Sequence, residues 1–176
     1  MSELSFTGPG FRTLPPLARL VLRGALPVRM AAAQSLHVPI PEQPCRALEH
    51  DGRAALWLGP DERLLLLPRA EGIAAAEALA AALRGLPHAV VDVSQRQIAL
   101  AVSGAQVPSL LNAGCPLDLD PSVFPRGACT RTLFAKAEIV LWRRASEEFH
   151  LEVWRSFAAY VAGFLGEAAR DLPGAA

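Results

Sequence analysis

Four consecutive apolar residues, Ile139-Val140-Leu141-Trp142, fill a run of strand length between Glu138 and Arg143. A strand sends alternate side chains to opposite faces, so this run asks for burial on both sides of the sheet it joins. Arg63–Leu67, with four leucines between turn signals, also reads as a buried strand. Helices of the chain can cover one face of such a sheet; the other face needs a second layer or a partner. Composition agrees, because 52% of the 176 residues are hydrophobic while 17 basic and 17 acidic residues cancel. That balance excludes the basic field which draws nucleic acid or anionic lipid. Every positive charge except Lys136 is arginine, the residue better suited to interface ion pairs.

Residues 1–16 are expected as an extended arm, since Gly8, Pro9, Gly10, Pro15 and Pro16 oppose both helix and ladder. Leu17–Arg23 reads as a strand, and the helix after it tolerates Pro27 in its first turn. Pro39, Pro41 and Pro44 then make an irregular connector. Asp51-Gly52, set between Cys45–His50 and Arg53–Leu58, is a two-residue hairpin signal. Glu71–Gly85 follows as a helix with Ile73, Ala76, Ala80 and Leu83 as its apolar stripe. The pattern then restarts, with strands at Ala89–Val93 and Gln97–Val102 and a short helix near Ala105–Ala113. Strands at Cys129–Phe134, Glu138–Arg143 and Phe149–Trp154 come next. The closing helix, Ser156–Arg170, carries Phe157, Tyr160, Val161, Phe164, Leu165 and Ala168 at helical spacing. The expected fold is α+β, one domain over 17–176 in two ferredoxin-like βαββαβ-type halves, about 17–87 and 88–176, with mostly antiparallel sheets.

Chemistry is sparse in this pattern. No Walker or GxGxxG loop is present. The histidines, His37, His50, His88 and His150, stand far apart and outside any zinc-ligand spacing. Cys45, Cys115 and Cys129 are too few and scattered for a disulfide framework, and their odd number favours a reducing compartment. Cys115 sits at a helix end, where the dipole raises a thiol pKa, so both it and Cys129 read as small hydrophobes. Asp118 and Asp120, before Pro121, read as turn formers and Asp92, near Ser94, as a turn anchor. Alternation along Phe149–Trp154 sends Phe149, Leu151 and Val153 inward and His150, Glu152 and Trp154 the other way. An outward Trp154 beside Arg155 has the composition of a protein contact. Neither an apolar signal core nor a membrane span is expected, and the cytoplasm is the expected location.

LWLGPDERLLL (56–66), VVDVSQRQIALAVSG (90–104), AGCPLDLDPSVFPRGACTRTLFAKAEIVLWR (113–143) and FHLEVWRSFAAYV (149–161) resemble the gamma subunit of heterotetrameric sarcosine oxidase. The resemblance implies a complex that demethylates sarcosine oxidatively to glycine, releasing hydrogen peroxide and either formaldehyde or methylene-tetrahydrofolate. It implies FAD, FMN and NAD on the alpha and beta subunits, zinc on the delta subunit, and a gamma subunit without cofactor, metal or catalytic residues that packs against alpha. The fold implied is that of the folate-binding domain of glycine-cleavage aminomethyltransferases. Arg131, Trp142, Trp154 and Arg155 are the expected contact residues. Arg63 stands where the resemblance implies an aromatic residue, and Gln95 where it implies histidine. The alternative is a stand-alone folate-binding or one-carbon accessory protein, for which Asp92 or Glu152 would supply the carboxylate.

Overall fold

The structure, a computed structural model, describes residues 4–172; the start of the expected arm (1–3) and the end of the expected domain (173–176) lie outside that range. The arm is a correction. Thr7–Gly8 (β1) and Phe11–Thr13 (β2) form an antiparallel hairpin, and β2 pairs in turn with Gln97–Ser103. Pro9 falls in the turn, Gly10 takes φ +77° there, and Pro15 and Pro16 come after the ladder, so no proline interrupts it. The chain divides into two compact units, one running from Pro16 to Ser94, the other made of the residues up to Pro15 and those from Gln95 onward.

In the unit from Pro16 to Ser94, β3 (Leu17–Gly24) leads into α1 (Leu26–Leu36), whose first turn accommodates Pro27. β4 (Ala47–His50) and β5 (Arg53–Trp57) follow, joined at Asp51 (φ +49°) and Gly52 (φ +74°), the paired left-handed residues that a type I′ hairpin requires. β6 (Glu62–Pro68), α2 (Gly72–Ala82) and β7 (His88–Asp92) complete it. The sheet order is β4-β5-β6-β3-β7, every neighbour antiparallel. Leu20, Leu22, Leu65 and Leu67 line one face and pack with Val28 and Ala32 of α1 and Ala75 and Leu79 of α2. Of the stripe expected here, Leu83, just past α2, is buried and Ala76 packs against the core. Along the helix itself Ala75 and Leu79 are the buried residues and Ile73 is 79% exposed. Alanine occupies so much of this helix that apolar spacing leaves its rotation undetermined.

The other unit holds β1, β2, β8 (Gln97–Ser103), α3 (Val107–Asn112), β9 (Cys129–Phe134), β10 (Ala137–Ala145), β11 (Glu148–Trp154) and α4 (Arg155–Arg170). Its sheet runs β1-β2-β8-β11-β10-β9. Ile98, Leu100, Val102, Ile139, Leu141, Phe149, Leu151 and Val153 share a core with α3, α4 and Phe124 of the Asp- and Pro-rich loop. Read from the other end, β9-β10-β11-β8-β2 repeats β4-β5-β6-β3-β7, with α3 and α4 standing for α1 and α2. The α+β architecture with two antiparallel sheets is therefore a duplicated one. The five-stranded sheet carries one strand more than βαββαβ and the six-stranded sheet two more, with β2 in the place that β7 holds in the five-stranded sheet.

The stripe expected on α4 holds at Val161 and Leu165 and needs correction at Phe157 and Tyr160. Ala158, Val161, Ala162, Leu165 and Ala169 are buried, while Phe157 and Tyr160 are 41% and 40% exposed. The helix turns its small residues to the sheet, where the backbone can approach closely, and leaves its aromatic rings at the boundary.

Candidate functional site

Alternation along the strands of the six-stranded sheet places three of the four expected contact residues on one face. Arg131 of β9 lies opposite Val140, and Val140 lies opposite Glu152. One row along, Trp142 lies between Cys129 and His150, and Trp154 ends β11 opposite Gln97 of β8. Arg131 is exposed and Trp154 is 40% exposed, but Trp142 is buried, at 4%. Its ring centroid stands 5.6 Å from that of His150, and the Arg144 guanidinium lies 5.2 Å over it. Arg155 opens α4, half-buried, and its N–H donates to the Arg96 carbonyl at 2.9 Å. The Arg96 guanidinium covers Trp154 at 5.3 Å, a cation–π contact that holds the ring in one orientation.

His150 and Glu152, expected to face away from the core, do leave the core face but are not exposed. They are 3% and 0% exposed, and His150 Nε2 sits 2.8 Å from Glu152 Oε1. The signal for this pair was their i, i+2 spacing on one strand, which puts two side chains on the same face; burial was the part that spacing does not report. Gln97, on the same face, is buried with Oε1 unpartnered among the described residues.

The remaining candidates behave as structure. Asp120 Oδ1 accepts from the Ser122 N–H at 2.8 Å and hydroxyl at 2.6 Å, and Asp118 Oδ1 from the Asp120 N–H. The Ser122 hydroxyl, then its N–H, holds the Asp120 carboxyl below its ordinary pKa. Asp92 accepts from the Ser94 N–H at 2.8 Å, and Ser94 likewise lowers its pKa, so Asp92 does anchor a turn. Cys115 and Cys129 are buried thiols and Cys45 is exposed. No helix among the described residues is long and apolar enough to cross a membrane. Nor do three His, Cys, Asp or Glu side chains gather among the described residues where a metal ion would need them.

Two arginines that stand in strands were not anticipated as buried groups. Arg63, 1% exposed, donates from Nε to the Pro41 carbonyl and from Nη1 to the Gly59 carbonyl, with its guanidinium over Trp57. Arg143, also 1% exposed, donates to the Leu119 and Ser146 carbonyls and lies 4.6 Å over the Phe149 ring. Both clamp loops. Of the residues named above on the candidate contact face, Trp154, under the Arg96 guanidinium, and Arg131 reach the surface, while Trp142, His150 and Glu152 between them are covered.

A family model described as the sarcosine oxidase, gamma subunit family matches residues 25–171. The chain is similar to sarcosine oxidase subunit gamma of Arthrobacter sp, at 36% identity over 122 residues covering 69% of this chain and 59% of that protein. It is as similar to the same subunit of Corynebacterium sp. (strain P-1), at 36% identity over 118 residues, 67% of this chain and 57% of that one. The match thus spans less than two thirds of the length of these relatives. Among solved structures, a chain of heterotetrameric sarcosine oxidase from Corynebacterium sp. U-96 in complex with pyrrole 2-carboxylate superposes with a TM-score of 0.84 at 27% identity, covering 93% of this chain and 86% of that one. Glycine cleavage system aminomethyltransferase T from Bartonella henselae superposes at 0.65 and 14% identity, over 87% of this chain and 44% of that one, a likeness of fold alone.

Proposed function

This chain belongs to the sarcosine oxidase gamma subunit family, and from that premise we propose that it is a non-catalytic subunit of a heterotetrameric sarcosine oxidase. The complex would demethylate sarcosine oxidatively to glycine in the cytoplasm, with hydrogen peroxide and formaldehyde or methylene-tetrahydrofolate as products. FAD, FMN, NAD and zinc would be held by the alpha, beta and delta subunits, and this chain would pack against alpha. Its contribution is mechanical: a folded surface of fixed shape against which a larger flavoprotein rests.

The observation that carries this reading is the family match over most of the chain, taken with the exposed Trp154. Trp154, Arg155 and Arg131 are the residues assigned to the contact. Trp142, expected among them, is buried between His150 and the Arg144 guanidinium and would contribute only as support within the sheet. Trp154, packed against the Arg96 guanidinium before association, loses less entropy on binding than an unrestrained side chain would.

Co-expression of the tagged full chain with alpha, beta and delta subunits tests the reading. The expected result is a purified complex that carries flavin absorbance and oxidises sarcosine. Trp154→Ala should lower the yield of complex at least about tenfold while far-UV circular dichroism of the isolated chain stays unchanged. Recovery of the chain without any flavoprotein would overturn the assignment. Tight calorimetric binding of tetrahydrofolate by the chain alone would favour the accessory-protein alternative instead.

A further inference from the structure

We propose that β7 is a self-complementary edge through which two copies of this chain pair strand to strand. β7 is the end strand of its sheet, with β3 as its neighbour. His88, Ala89, Val91 and Asp92 are exposed, Val91 to 53%, and Val90 is partly so. The register determines which backbone groups are open. The Val93 N–H donates to the Arg19 carbonyl at 2.8 Å, which makes Arg19 and Val93 a hydrogen-bonded pair. Such pairs recur at every second residue of an antiparallel ladder, so Val21–Val91 and Arg23–Ala89 are bonded pairs as well. The N–H and C=O groups of His88, Val90 and Asp92 therefore point to the free edge.

A two-fold axis through Val90 uses that set without remainder. It brings Val90 against Val90 of the second copy, and His88 against Asp92 in both directions. All three pairs are of the bonded type, each able to exchange both of its hydrogen bonds. The side chains match too. Ala89 meets Val91 of the second copy, small against large, and the cation-forming imidazole meets a carboxylate at each end. His88 Nδ1 lies 2.7 Å from the Leu86 carbonyl, which leaves Nε2 to reach across. Ser94 keeps the Asp92 carboxylate oriented.

The other sheet edges among the described residues carry a charge inside the strand or are very short, whereas β7 keeps its charge-bearing residues to its two ends. β4 carries Glu49 and β9 carries Arg131 within the strand, and β1 is two residues long. The middle of β7, Ala89-Val90-Val91, has neither charge nor proline, the features that normally block edge pairing. The short contact implies a weak, concentration-dependent dimer. Nothing in this inference depends on the heterotetramer.

Sedimentation velocity of the full chain over rising concentration is the test, joined to amide exchange. A monomer–dimer equilibrium is expected, with the amides of His88, Val90 and Asp92 gaining protection as dimer forms. His88→Glu sets a like charge against Asp92 at both ends and should weaken dimerisation about tenfold, whereas His88→Lys should preserve it. Unchanged circular dichroism shows that both variants fold. A chain that stays monomeric throughout overturns the proposal. So does a dimer that His88→Glu leaves intact and in which those three amides exchange freely.

Discussion

At the scale of single residues, the guanidinium groups of Arg63 and Arg143 show why side-chain type alone misleads. Each gives donors to loop carbonyls and lays its flat face on a ring, so a buried guanidinium here serves to hold loops. Burial pushes the Arg143 pKa down, yet a guanidinium still remains charged at any ordinary pH. Replacing it with Met fills the volume but leaves the Leu119 and Ser146 carbonyls without their donor. Arg143→Met should cost about 2–3 kcal/mol by urea titration and speed proteolysis of the loop between Cys115 and Ala128. Glu42 offers a pH-dependent case. Its carboxylate accepts from Arg29 Nε at 2.8 Å and Nη2 at 2.6 Å, and those hydrogen bonds hold its pKa below the ordinary value. A lowered folded-state pKa gives stability that is complete above the unfolded pKa and is lost as pH falls through the folded one. Glu42→Gln should therefore destabilise at pH 7, by about 0.5 kcal/mol after solvent screening of this half-exposed carboxylate, and should lose less stability than the parent on acidification.

At the scale of elements, nearly every strand was legible and the helix rotations were legible only in part. Asp51-Gly52, the leucines of β6 and the alternation of Ile98, Leu100 and Val102 located their strands because turns and period-two patterns are local. The helices fold against a sheet, and the closeness of approach decides which face turns inward. On α4 that rewards Ala158, Ala162 and Ala169 over Phe157 and Tyr160, a choice hydrophobicity ranks the wrong way. The two faces separate experimentally. Phe157→Ser should stay within about 0.5 kcal/mol of the parent, while Val161→Ser, which empties core volume and buries a hydroxyl, should cost about 2–3 kcal/mol in the same chemical denaturation. The candidate contact face divides in the same manner. Trp154 was legible as outward from alternation, but the burial of Trp142, His150 and Glu152 on that same face depends on packing that strand spacing does not encode.

At the scale of the whole molecule, the presence of two halves was readable, and the family resemblance with it. The boundary expected between 87 and 88 is corrected to one after Ser94, because β7 (His88–Asp92) closes the first sheet on β3 and the pattern restarts only at β8. The strand that completes the second sheet was not readable, because it comes from the opposite end of the chain. In the unit from Pro16 to Ser94 all five strands are contiguous in sequence. The other unit borrows β2, whose Phe11 is 6% exposed and belongs to that unit's core, while the Leu14 N–H donates to the Ala99 carbonyl. Closing a ladder over so long a separation carries no local propensity signal; glycine and proline in the flanking turns even argue against it. The asymmetry has a consequence for fragments. Residues 16–94 should fold alone, with dispersed amide resonances and a cooperative thermal transition. Residues 95–176 should not, since without β2 the edge of β8 and the Phe11 site in the core are both open. Adding a peptide of residues 4–15 in trans should restore dispersion to the second fragment, and the Phe11→Ala peptide should bind at least about a hundredfold more weakly, as loss of a buried phenyl ring predicts. If residues 95–176 fold as well without the peptide as with it, the borrowed strand is dispensable and the duplication is complete without it.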